Sequence, residues 1–110
     1  MGRQQISMRP YAQDAAVLMG ANIRLARANH NWTAAELASR AGCSRRTVQN
    51  VEAGRPEVSI GHVFNICAVL GLPLFVQNPT ELNRMVRSSQ EKLVLMPSRV
   101  VPNKAIDDDF

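Results

Sequence analysis

A chain of 110 residues with 45% hydrophobic and only 5% aromatic content is long enough to bury one real core and predicts a single small domain packed with Leu, Val and Ala. Its net charge is +4, and Cys43 and Cys67 have neither metal-ligand spacing nor a disulfide framework, so a zinc module and a disulfide scaffold are both excluded. The longest apolar run, residues 63–76, is broken by Asn65 and Pro73 and is too short to span a bilayer.

The first ten residues, MGRQQISMRP, have no apolar core and Ile6 stands where a myristoylation signal needs Ser or Thr, so neither a signal peptide nor a lipid anchor is expected. The expectation is a cytoplasmic, nucleoid-associated protein with reduced thiols. Nearly all positive charge is arginine, with Lys only at 92 and 104. Arginine suits planar contacts to phosphate and base edges, although high-GC codon usage gives the same bias. Residues 1–60 carry a net +4 and residues 61–110 a net of zero. A lopsided basic half points to a polyanionic partner.

Residues 1–11 are polar and contain Pro10, and are predicted to form a flexible arm before a domain over 12–96. A first helix starts near Ala12, with Val17, Leu18, Ala21, Leu25 and Ala28 at helical spacing. It ends at the turn formers Asn29-His30-Asn31. Thr33 and Glu36 then have capping-box spacing, and Trp32 and Leu37 have that of a hydrophobic staple. Gly42 stops this short second helix. Ser44 caps a third, with Cys43 and Val48 as its staple, and Gly54 and Pro56 end it. Two short helices joined by a Gly turn form a helix-turn-helix arrangement, in which the small Ala38 lets them cross closely. A fourth helix is predicted from Ser59 to Leu70, with Ile60, Val63, Ile66, Cys67 and Leu70 on one face. A fifth begins at Asn78-Pro79, with Leu82, Met85, Val86, Leu93 and Met96 as its stripe. Lys92–Met96 reads equally as the end of that helix or as a short strand. Residues 97–110, finishing DDDF, are predicted to be a flexible acidic tail.

With Ser44 at the N-cap, Val48 and Val51 face inward, and Arg45, Arg46, Gln49 and Asn50 share the other side of the third helix at four-residue spacing. Arginine bonds bidentately to guanine, and Asn or Gln to adenine, in the major groove. Arg45 and Arg46 are expected to read bases or grip flanking phosphates, and Gln49 and Asn50 to read bases. An ordinary solvated helix face has the same composition, but the capped preceding helix, the Gly turn and the basic half favour the DNA reading. Thr33, Ser44 and Ser59 head helices whose free N–H groups favour an anion, or act as caps alone. Thr47 accompanies them on the third helix, and Arg55 follows it in a loop within reach of a DNA backbone.

The stretch IRLARANHNWTAAELASRAGCSRRTVQNVEAG, with its Thr33-x-x-Glu36-Leu37-Ala38-x-x-Ala41-Gly42-x-Ser44-x-x-Thr47-Val48-x-x-Val51-Glu52-x-Gly54 pattern, resembles the phage-repressor and Cro-like helix-turn-helix domains, the XRE family. The resemblance covers roughly residues 15–72. It implies an all-α, five-helix, lambda-repressor-like fold and a structural ion pair between Arg27 and Glu52. The family often has Gln at the first position of the second helix, bracing the recognition helix and touching phosphate. This chain has Ala34 there, so specificity is expected to lean on Arg45 and Arg46.

A narrower resemblance joins Pro56-Glu-Val-Ser-Ile-Gly-His-Val-Phe64, LGLPLF at 70–75 and the Asp-Asp-Asp-Phe ending. Together they look like HipB-like antitoxins, dimeric repressors of their own operon that hold HipA-like kinase toxins. That likeness implies double-stranded DNA at the operon promoter, a second copy of this chain and a kinase as partners. Asp107, Asp108, Asp109 and Phe110 would be the docking strip. A solubilising tail, or a tail that masks the chain's own basic face, remains open. So do a stand-alone phage-type or controller-type regulator and a protein-interaction module without specific DNA binding. No metal set, nucleotide loop or nucleophile motif is present, and no enzyme activity or cofactor is expected.

Overall fold

The computed structural model describes residues 5–97. Its elements are α1 (Pro10–Asn29), α2 (Ala34–Ala41), α3 (Arg45–Glu52), α4 (Ile60–Leu70) and α5 (Pro79–Leu95). Apart from one isolated bridge between Leu74 and Val76, the described residues contain no β-structure, and the architecture is all-α. The chain divides into two compact units. The first ends at Gln77 and the second begins at Asn78.

Helix α1 starts earlier than expected. Pro10 sits in its first turn, where a preset φ favours the helix and the missing N–H has no partner to lose. The Gln13 amide already bonds the Arg9 carbonyl at 2.9 Å, so an arm can reach only to Arg9. The helix ends at His30, and Asn31 adopts a φ of 60°, a left-handed conformation that Asn tolerates.

The inner face of α1 is not the expected one. Val17, Leu18 and Leu25 are 51–64% exposed, and Ala21 and Ala28 also face outward. Gly20 and Ile23 are the buried residues, flanked by the partly buried Met19 and Ala26. Gly20 explains the choice. A Cβ there would lie 2.5 Å from the Glu52 carbonyl oxygen and 2.6 Å from that of Val51. The helix therefore turns its glycine toward the end of α3 and lets the two backbones touch. Gly20→Ala gains about 1 kcal/mol of helix propensity, but it must push backbone against backbone. We expect a net loss of roughly 1–3 kcal/mol, measured as a lower urea midpoint.

Helices α2 and α3 form as their local signals direct. Thr33 Oγ1 accepts from the Glu36 amide at 3.1 Å, and the Glu36 carboxylate accepts from the Thr33 amide at 2.7 Å. Both halves of the capping box are thus closed. Gly42, at φ 76°, turns the chain after α2, and the Cys43 amide bonds back to the Ala38 carbonyl. Ser44 Oγ accepts from the Thr47 amide at 3.0 Å and starts α3. Gly54, at φ 73°, ends it in the same way, with the Arg55 amide bonding the Asn50 carbonyl.

Ile23, Leu37, Val48 and Ile66 are fully buried and form the centre of the core with Val51, Cys67 and Leu70. Each such side chain contributes about 1.5–3 kcal/mol of burial. One residue comes from α1, one from α2, two from α3 and three from α4, so the core fixes the pose of α3 directly. In α4 the expected face is corrected at one end: Ile60 is 69% exposed. The buried stripe begins with Val63 and Ile66, because Ile60 lies in the first turn beyond the core.

In the second unit, Asn78 caps α5 by accepting from the Thr80 and Glu81 amides at 2.8 and 3.4 Å. Glu81 pairs with Arg84 at 2.9 Å. The helix continues to Leu95, so Lys92–Leu95 is helical rather than a strand. The expected docking strip, Asp107, Asp108, Asp109 and Phe110, lies outside the described residues.

Candidate nucleic-acid interface

Helix α3 has two sharply different sides. Val48 and Val51 are 0% and 4% exposed. Arg45, Arg46 and Gln49 are exposed, and Asn50 is half-buried. The staggered pairs Arg45/Gln49 and Arg46/Asn50 place two guanidinium groups and two carboxamides along a short helix. Neither Arg45 nor Arg46 has a carboxylate partner among the described residues. Their donors are free to meet a ligand.

The far end of α3 is clamped. Arg27 Nε donates to Glu52 Oε2 at 2.7 Å and Arg27 Nη2 donates to Glu52 Oε1 at 3.0 Å. This is the bidentate geometry that makes Arg–carboxylate pairs strong and directional. Arg27 Nη1 also donates to the Trp32 carbonyl at 3.0 Å. One guanidinium thus joins α1, the approach to α2 and the end of α3. The Glu52 hydrogen bonds raise the Arg27 pKa further above its ordinary value, against an opposing effect of burial. Trp32 is itself held by two neighbours. The His30 ring stacks at 4.3 Å, and the Arg40 guanidinium lies 4.3 Å from the ring centroid.

The remaining sequence-predicted residues divide by role. Thr33 and Ser44 are engaged in caps, and Thr47 Oγ1 lies 3.0 Å from Ser44 Oγ. Their hydroxyls are therefore committed to the two helix starts. Both capping residues are nonetheless exposed. Ser59 occupies the N-cap of α4, but its side chain makes no cap hydrogen bond. The expectation that it caps that helix is not met. Arg55 is exposed, with its Nε 3.9 Å from Glu57 Oε1. That separation is too long for a hydrogen bond and leaves the Glu57 oxygen buried without a donor.

One feature brings several of the expected residues together with one not expected from the sequence. A cleft of about 320 Å³ opens between α1, the start of α2 and α3, lined by Arg24, Arg27, Ala34, Gln49, Glu52 and Ala53. Arg24 lies one turn before Arg27 on α1. That i, i+3 relation puts it on the same side of α1 as the clamp.

Among the described residues no cluster of His, Cys, Asp or Glu could hold a metal ion, and no helix is long and apolar enough to cross a membrane. Burial raises the thiol pKa of both Cys43 and Cys67, which keeps them protonated and poor nucleophiles.

Residues 23–76 match a helix-turn-helix family model. This segment contains the whole α2–turn–α3 element, the Arg27–Glu52 clamp and α4. The chain is also 30% identical over 87 residues to a hypothetical transcription factor of Neisseria meningitidis, covering 79% of this chain and 74% of that protein. The chain belongs to the XRE-type helix-turn-helix family. It is further 35% identical over 63 residues to an uncharacterised HTH-type transcriptional regulator of Sinorhizobium fredii, covering 57% of this chain and 83% of that one. The crystal structure of the hypothetical transcription factor NHTF from Neisseria superposes with a TM-score of 0.52 at 28% identity, covering 74% of this chain and 97% of that one. XRE-type membership agrees with the fold expected from the Thr33–Gly54 pattern.

Proposed function

We propose that this protein is a sequence-specific, double-stranded-DNA-binding transcriptional repressor that acts as a dimer. The observation that carries the reading is the outer face of α3. It presents Arg45 and Arg46, which have no carboxylate partner among the described residues, with Gln49 and Asn50, on a helix whose other side is locked into the core and whose end is clamped by Arg27. Recognition helices read base edges best from a fixed pose, with their first residues deepest in the major groove. The similarity to proteins named as transcription factors supports the same function. Two copies would set two α3 helices about 34 Å apart, one turn of DNA. The phosphate contacts would make affinity fall steeply with salt.

Asn50 gives the sharpest test of base reading. Asn50→Ala loses roughly 1–3 kcal/mol on the selected site and little on random DNA, measured by fluorescence anisotropy at fixed salt. Equal losses on both sequences would remove Asn50 from the readout.

The finer reading makes this repressor the antitoxin of a HipA-like kinase, repressing its own operon in the cytoplasm. It rests on the sequence likeness at 56–64 and 70–75 and on the Asp-Asp-Asp-Phe ending. A tagged pull-down from the native host, comparing the full chain with one cut after Met96, decides it. Co-purification of a kinase-like protein supports the antitoxin role, and its loss on truncation assigns docking to residues 97–110. Recovery of DNA alone leaves a stand-alone regulator.

A further inference from the structure

We infer that Arg24 is an additional DNA-backbone contact, seating a phosphate in the cleft beside the recognition helix. This rests on the DNA-binding reading above and adds to it a residue from α1. Two cations and one anion line the cleft: Arg24, Arg27 and Glu52. Arg27 and Glu52 satisfy each other through two short hydrogen bonds. That pair leaves the charge of Arg24 over. Arg24 is exposed and has no ion-pair partner among the described residues.

Position and space give the charge its use. Gln49, on the outer face of α3, lines the same cleft. A duplex met by that face would therefore bring its backbone along the cleft. Ala34 contributes only a methyl group to the lining, and the cleft holds about 320 Å³. A phosphate oxygen entering there meets a guanidinium fork, the group best matched to phosphate geometry. The nearby Glu52 carboxylate does not repel it strongly, because both of its oxygens are held by Arg27.

A backbone contact carries no sequence information. It therefore makes a different prediction from the α3 residues. Arg24→Gln weakens binding to the selected site and to random duplex by the same factor, about three- to tenfold at moderate salt. It also lowers the slope of log affinity against log salt by about 0.9, the value for one phosphate no longer neutralised. Arg24→Lys keeps the slope. Thermal unfolding of the three proteins serves as the control for structure, since Arg24 makes no side-chain ion pair among the described residues. An unchanged slope in Arg24→Gln overturns the inference. A loss confined to the selected site also overturns it, since Arg24 would then read a base. If the wild-type chain shows no salt-dependent duplex binding at all, the DNA-binding reading itself has failed, and that result is distinct from a lack of effect at Arg24.

Discussion

Replacing Arg45 and Arg46 together with alanine is expected to abolish specific DNA binding while leaving the domain folded. Both side chains are exposed and have no carboxylate partner among the described residues, so their removal costs the fold little. Exposed substitutions of this kind usually stay within about 0.5 kcal/mol of the parent stability. The binding cost is of another order. A good bidentate base contact is worth about 1–3 kcal/mol, so two independent ones lose roughly 2–6 kcal/mol. If either arginine grips phosphate instead, the salt slope also falls by about 0.9 for each phosphate that loses its arginine. Anisotropy titrations at three salt concentrations, paired with a thermal melt, separate the two cases. A protein-interaction module that kept only the fold would be indifferent to the double substitution.

Glu52→Ala produces the opposite pattern, a large loss of stability that precedes any loss of binding. The Glu52 side chain is 10% exposed and that of Arg27 is 17%. Truncating Glu52 leaves the largely buried guanidinium with only the Trp32 carbonyl. Breaking a buried pair from one side costs about 3–5 kcal/mol, most of it the stranded charge. The side chains keep some access to water, so the lower end, about 3 kcal/mol, applies. For a domain of this size that lowers Tm by roughly 12–24 °C. Glu52→Gln keeps the shape but also strands the Arg27 charge, and should lose more than half as much. A Glu52→Gln variant as stable as the wild type would mean that packing, rather than charge, holds the α1–α3 junction.

The helix-turn-helix element was legible because its signals are local. Thr33 and Glu36 close a capping box within one turn, Ser44 caps through its own third residue, and Gly42 alone sets the turn. Each of these is a short-range hydrogen bond or a single φ angle. The inner face of α1 was not legible. Val17, Leu18, Ala21, Leu25 and Ala28 make a plausible apolar stripe, but a stripe does not say which face a neighbour will cover. Backbone approach decides it here. Gly20 must meet the Val51 and Glu52 carbonyls, and glycine carries no hydrophobic signal. The Arg27–Glu52 pair already implied the answer, since Gly20 and Ile23 lie seven and four residues before Arg27 and so share its face. Arg24 escaped for a related reason. Its interest comes from a cleft that it lines together with the small Ala34, and sequence spacing alone does not show empty space.

The most direct test of α3 as a DNA reader is selection from a random duplex library with purified wild-type protein and with Arg45→Ala/Arg46→Ala/Asn50→Ala. The wild type should enrich a two-fold symmetric motif with half-site centres about 10 base pairs apart. The triple variant, folded by its thermal melt, should enrich none. Recovery of the same motif by both proteins, or of no motif by the wild type, would contradict sequence reading by this helix.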